Sequence, residues 1–366
     1  MEKIRGMRAP LKYVQSKNSL LLFYNEMGYM GKRWLFICSN SGYRNCHDKI
    51  EQSFAGQDDY RRYEVFGGVS SRSEVRRMQD IVEEDDIDVV VGVGGGAAID
   101  TAKATAYYEG KRVISVPTVV ATDAPCTGLS VIYNDDGSFD QYLFYPQNPD
   151  AVIVDTQVIA NAPVKFLIDG MGDALGTYFE GLASLRTESP SLEGIGITRS
   201  GMALAKCCYD TLVDYGSQAV TACEHNVVTP ALEAIVEANV YLSGVGADNV
   251  NCAGAHSFYN GVTSLGGHKA SHGACVAFGT LVQLILEGAV KELFEEVQSF
   301  CLEVGLPVTL EELSLSCDDE EALRTIAENA CAEGETIHNL AGDVTPDELY
   351  AAIIAADAMG KEAKQR

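Results

Sequence analysis

From Asp88 to Tyr108 the chain reads DVVVGVGGGAAIDTAKATAYY, an apolar run that ends in three glycines and reopens at once as a helix-forming stretch. An unbroken apolar run suits a strand buried on both faces, as in a parallel sheet covered by helices. Consecutive glycines let the backbone come close to a ligand. The helix start behind them offers free N–H groups and the positive end of a dipole. Gly94, Gly95 and Gly96, followed by Ala97, therefore suit a diphosphate. Gly92, Gly94 and Ala97 also satisfy G-x-G-x-x-A. The glycines do not follow the first strand, however, and no acidic residue closes a second strand about 20 residues later, as the dinucleotide fingerprint requires. A tight turn without a ligand is the alternative.

The segments around this turn repeat its grammar. Arg33–Cys38, Val113–Val116 and Ala151–Val154 read as further buried strands, with helical patterns at Ser73–Glu84 and Ala97–Glu109. Strand–helix alternation predicts an α/β, Rossmann-like domain with a parallel sheet. After Pro163 the β-rich runs largely vanish, and helical patterns cover Pro190–Leu212, Pro230–Leu242, Val276–Leu286 and Thr345–Ala358. The residue before a proline is pushed out of helical geometry, which places the join at Asn161–Ala162–Pro163. The expected organisation is an α/β dinucleotide-binding domain over 1–162 and an all-α metal- and substrate-binding domain over 163–366.

Composition narrows the function. Of 366 residues 46% are hydrophobic and 22% charged, enough for two cores. Fifty-two acidic against 27 basic residues leave a net charge of -25. Such a surface repels nucleic-acid phosphates and anionic lipid, so neither is an expected partner. No run of about 18 apolar residues predicts a transmembrane helix. The opening MEKIRGMRAPLKYVQ lacks a signal peptide's apolar core, and the 11 cysteines show no C-x-x-C spacing. A cytoplasmic protein with reduced thiols is the expectation.

Only six histidines are present, and His256, His268 and His272 fall in one stretch. Imidazole suits zinc, and a catalytic zinc commonly takes three protein ligands with one position open. His268 and His272 are four apart, but GGHKASHG makes a poor helix. Capping or core histidines are the alternative.

The segment from PTVVATDAPCTGLS through DGMGDALGTYFE, and then GAHSFYNGVTSLGGHKASHGACVAFGTLVQL, resembles the glycerol dehydrogenase branch of the metal-dependent (iron/zinc, group III) alcohol dehydrogenases. The likeness covers essentially the whole chain. It implies metal ligands at Asp173 of MGDAL, His256 of AHS and His272 of the HG-x-x-VAFG motif, with His268 nearby. It implies a site where the helical domain begins, and it gives Asp123 of ATDAP the substrate hydroxyl. Unaided, Asp123 reads as a turn residue before Ala-Pro. Thr118, Ala121, Thr127, Leu129 and Tyr133 match positions that line the nicotinamide and its phosphates. Asp100 matches a contact near the nicotinamide end; read alone, it is a first-turn acid that favours the helix dipole.

Four positions depart from the family pattern. The strand Arg33–Cys38 is followed by Ser39 and Asn40 where an Asp would hold the adenosine ribose, so NADP joins NAD as a candidate cofactor. Ala97 replaces a Lys beside the glycines. Ala274 replaces a Glu beside His272, removing a carboxylate that could tune the metal. Ala247 stands where glycerol dehydrogenases tend to carry Phe, which suggests a wider pocket.

The expected activity is hydride transfer between the secondary alcohol of a small polyol or vicinal diol and a nicotinamide. Zinc is the expected metal, with iron as the alternative, and the expected assembly is a homo-oligomer between a dimer and an octamer. The rival activities are a lyase resembling dehydroquinate synthase and a non-catalytic NAD-binding homologue.

Overall fold

The structure is a computed structural model and describes residues 4–365. Six strands form one parallel sheet: β1 (Lys12–Ser16), β2 (Arg33–Cys38), β3 (Tyr60–Val65), β4 (Val89–Gly94), β5 (Arg112–Pro117) and β8 (Ala151–Asp155), in the order β1-β8-β5-β4-β2-β3. The hairpin of β6 (Leu129–Tyr133) and β7 (Phe139–Phe144) stands apart as an antiparallel pair.

Alternation along the central strands produces two apolar faces. Trp34, Phe36 and Cys38 join Phe23, Phe54 and Ile50 on one, where the Asn40–Ser53 helix packs. Leu35, Ile37 and Val90 face Met78, Ile81, Ala98 and Ala102 on the other, supplied by the Arg72–Glu84 and Gly96–Glu109 helices. The central strands are buried on both sides, as their unbroken apolar runs demand. β2 leads to β3 on one side, while β4, β5 and β8 run outward on the other. The direction of winding therefore reverses between β2 and β4, and open α/β sheets take ligands outside the carboxyl ends of the strands at such a switch point.

From Pro163 onward the described residues hold helices and no named strand. The Gly254–Thr263, His272–Leu286, Glu320–Ala330 and Pro346–Ala363 helices share a core containing Phe258, Phe278, Leu323, Ile326 and Ile353. Contacts divide the chain into two compact units. One takes Arg8–Leu167 together with Thr221–Gly244; the other takes Ile168–Val220 with the described residues 4–7 and 245–365.

Two expected helices come out differently. In place of Pro190–Leu212, the helix runs Arg199–Glu224. The preceding stretch turns through Ser191 and Gly194, the latter at φ 77°, and Thr198 Oγ1 then takes the Gly201 N–H to start the helix. Pro230–Leu242 is α-helical only to Glu237; Ala238–Leu242 is a π-turn that feeds the Ser243–Val250 helix. The apolar spacing gives no sign of that widening. None of the described helices is long and apolar enough to cross a membrane, and none of the 11 cysteines, all among the described residues, is joined in a disulfide.

Candidate active site

The glycine turn sits at the switch point. Gly92 and Gly94 are needed for packing: a Cβ on Gly92 would lie 2.8 Å from the Ala102 Cβ, and one on Gly94 would lie 2.9 Å from that of Ala98. These two let the Gly96–Glu109 helix settle on β4. Gly95 and Gly96 are different, since a Cβ there meets nothing closer than 3.4 Å. Gly95 caps the helix without a side chain, and no acidic residue occupies the first turn. The amides at the helix start lack partners within the helix, so they can receive an anion.

The other residues marked for cofactor binding divide by role. Ser39 follows β2 beside Gly94, with its hydroxyl accepting the Gly42 N–H at 3.0 Å as a helix cap. Thr118 follows β5 and donates its N–H to Gly94 O at 3.0 Å. Ala97 packs on the apolar cluster of Ala98 and Ala102. Asp100 is buried, its Oδ2 accepting the Val131 N–H at 3.1 Å and its Oδ1 lying 3.0 Å from Lys103 Nζ. Lys103, which sequence reasoning missed, is 2% exposed and donates to the carbonyls of Ala124 (2.8 Å), Thr127 (3.4 Å) and Leu129. It staples the segment carrying Thr127 and Leu129 to the helix behind the glycine turn. Tyr133 ends β6 and bonds back to Ser70 O. Ala121 and Asp123 lie in the loop after β5, and Asp123 Oδ2 accepts from Ser243 Oγ at 2.9 Å.

The second site lies wholly in the helical unit. Asp173 is on the Lys165–Arg186 helix, His256 on Gly254–Thr263, and His272 is the first residue of His272–Leu286, after Ser271 caps that helix. Close helix crossings bring them together. A Cβ on Gly273 would lie 1.7 Å from Asp169 O, and one on Gly279 would lie 2.6 Å from Ala255 O. Only glycine permits these approaches, which fall beside the site residues. Asp173 Oδ1 stands 3.0 Å from His272 Nε2 and 3.5 Å from His256 Nε2. One carboxylate oxygen and two imidazole nitrogens lie within 4.8 Å of one another, a donor set that fits zinc or iron.

Glu180 supports this cluster and was not marked from sequence. It lies seven residues after Asp173, two turns along the same helix face, and that spacing is the signal that could have found it. Its Oε1 accepts the N–H groups of Ala253 and His256, and its Oε2 lies 2.6 Å from His256 Nδ1. Nδ1 therefore carries its proton toward Glu180, which leaves Nε2, on the Asp173 side, as the nitrogen a metal would take in place of a proton. Burial opposes charge on both acids, yet His272 and His256 hold Asp173 well below the usual carboxylate range, and His256 holds Glu180 down. Burial also opposes charge on His256, but Cys252, Glu180 and Asp173 outweigh it and raise its pKa well above the ordinary value. His268 lies against the Tyr259 ring at 6.3 Å, and that ring stands 4.3 Å from His272. Ala274 packs on the helical core, at the third position of its helix. Ala247 is buried in the Ser243–Val250 helix.

Residues 10–156 match the family model described as iron-containing alcohol dehydrogenase. The chain is 43% identical to a glycerol dehydrogenase of Escherichia coli O6:H1, over 98% of each chain. It is 39% identical to a glycolaldehyde reductase of Halobacterium salinarum, over 98% of this chain and 99% of the relative. The crystal structure of a glycerol dehydrogenase from Schizosaccharomyces pombe superposes with a TM-score of 0.94 at 35% identity, covering 100% of this chain and 93% of that one.

Proposed function

The chain belongs to the iron-containing alcohol dehydrogenase family and is an oxidoreductase, and from that premise we propose that it interconverts the secondary alcohol of a small vicinal diol or polyol and the corresponding ketone. The observation that carries this is the Asp173–His256–His272 cluster, a buried carboxylate with two partly exposed imidazoles, and Glu180 fixing the proton of His256. A divalent metal held by those three residues supplies a Lewis acid for the substrate oxygen, and a nicotinamide cofactor supplies the hydride acceptor.

The rest is work for the chain's own groups. Gly95, Gly96 and the first helical amides receive the pyrophosphate. Lys103 holds the Ala124–Leu129 backbone in place, so Thr127 and Leu129 keep their positions for the nicotinamide. Asp123 accepts a hydrogen bond from the substrate hydroxyl next to the reacting carbon. The relatives' names support the adjacent hydroxyl, which glycerol and glycolaldehyde both carry, and glycerol also contains a secondary alcohol. A phosphorylated substrate, as in a lyase of the dehydroquinate synthase kind, is disfavoured: residues 254–284 carry one lysine, Lys269, and no arginine. A purely nucleotide-binding role has no use for the intact ligand cluster.

Absorbance of the reduced nicotinamide tests the proposal. Zinc- or iron-loaded protein should reduce NAD+ or NADP+ with glycerol or propane-1,2-diol, and a chelator should stop it. Both cofactors belong in the assay because Ser39 replaces the carboxylate that would repel a 2′-phosphate. Metal-loaded, nucleotide-binding protein that oxidises no alcohol would overturn the proposal.

A further inference from the structure

The loop that carries Asp123 is held by an element the hydride-transfer chemistry does not itself require. Ala238–Leu242 forms a π-turn in which the Ser243 N–H donates to Ala238 O, five residues back. Such single π-turns inside α-helices recur at functional sites. Two side chains from this turn and the residue after it reach the loop. Asn239, fully buried, donates through Nδ2 to Val120 O at 3.2 Å and to Leu167 O at 3.0 Å. Ser243, also fully buried, donates its hydroxyl to Asp123 Oδ2 at 2.9 Å. Asn239 fixes the loop backbone three residues before Asp123, and Ser243 fixes the carboxylate itself.

We propose that Ser243, presented by the π-turn, is a positioning residue that aims Asp123 at the second hydroxyl of the substrate and so sets the preference for vicinal diols over simple alcohols. This rests on the role assigned to Asp123 above. A carboxylate accepts several hydrogen bonds, so the serine hydroxyl can fix its rotamer while it still receives a hydroxyl from the substrate. A hydrogen bond to a charged group is among the stronger ones, and its loss removes a restraint on the carboxylate's rotamer.

The test compares kcat/KM for propane-1,2-diol with that for propan-2-ol in the holoenzyme and in Ser243→Ala, Ser243→Thr and Asp123→Asn. The diol preference should fall about tenfold in Ser243→Ala, fall in Asp123→Asn, and be largely kept in Ser243→Thr, which retains the hydroxyl. A change in overall rate with the preference intact in Ser243→Ala would overturn the assignment of Ser243. If Asp123→Asn lowers the preference and Ser243→Ala does not, Ser243 alone is wrong. If neither lowers it, the role given to Asp123 fails as well.

Discussion

Glu180 Oε2 lies 2.6 Å from His256 Nδ1, so the imidazole that presents Nε2 to Asp173 is held from behind by a second buried carboxylate. A glutamine at this position still offers a carbonyl to the Ala253 and His256 amides. Its NH2 group, however, would face Nδ1 and move the ring proton to Nε2, where the metal should bind. Glu180→Gln should therefore weaken zinc affinity by about 10–100-fold. Chelator competition measures this, and an unchanged affinity would remove Glu180 from the site.

The same cluster links metal uptake to pH. In the metal-free protein His256 holds a proton at neutral pH, because Cys252, Glu180 and Asp173 outweigh the burial that opposes it. A metal must displace that proton, so affinity should rise with pH by up to about a decade per unit until His256 titrates. Stability of the metal-free protein behaves oppositely on this flank. A raised histidine pKa contributes fully below the unfolded value and is lost as pH climbs through the folded one. On the acid side, Asp173 and Glu180 are depressed, and their contribution disappears as pH falls through their folded values. Calorimetric titration in buffers of different ionisation enthalpy should show about one proton released per metal. Zero release would contradict the charged state of His256.

Gly273 is where the Asp173 helix and the His272 helix come closest. An alanine Cβ would lie 1.7 Å from Asp169 O, a backbone atom four residues before Asp173. No side-chain rotation relieves that clash, so the two helices must separate, at a cost of about 1–3 kcal/mol or more. Gly273→Ala should lower Tm and cut metal occupancy together. A variant that binds metal with full affinity would show that the crossing does not set the Asp173–His272 distance.

What the sequence disclosed follows from burial. β2, β4, β5 and β8 announce themselves because strands buried on both faces must be apolar throughout. β1 (KYVQS) and β3 (YRRYEV) pass unnoticed because they are the two edges of the sheet, where polar and charged residues are tolerated. His256 and His272 stand out because the chain has only six histidines, and the family resemblance sets Asp173 beside them. Glu180 and Lys103 do not stand out. Each is a charged residue in an ordinary helical pattern, and only the fold shows that it points inward. The π-turn leaves no trace, since Pro230–Leu242 keeps its apolar spacing while the backbone widens.

Lys103 offers the sharpest separation of structure from chemistry. Its ammonium is buried with Asp100 Oδ1 at 3.0 Å and three carbonyls of the Ala124–Leu129 segment around it. Removing the cation leaves a buried carboxylate without its counter-charge and strips the carbonyls of a donor. Lys103→Met should cost about 3–5 kcal/mol in urea unfolding. Replacing Asp100 with Asn in the same chain removes the stranded charge, so the double variant should regain part of the loss, as expected for residues in contact. The amide can still accept the Val131 N–H now bound by Asp100 Oδ2. Nucleotide affinity should not recover with stability, because the carbonyls of Ala124, Thr127 and Leu129 still lack the staple. Isothermal titration with NAD+ on both variants separates the two effects: equal recovery of stability and affinity would mean that Lys103 serves the ion pair and not the loop.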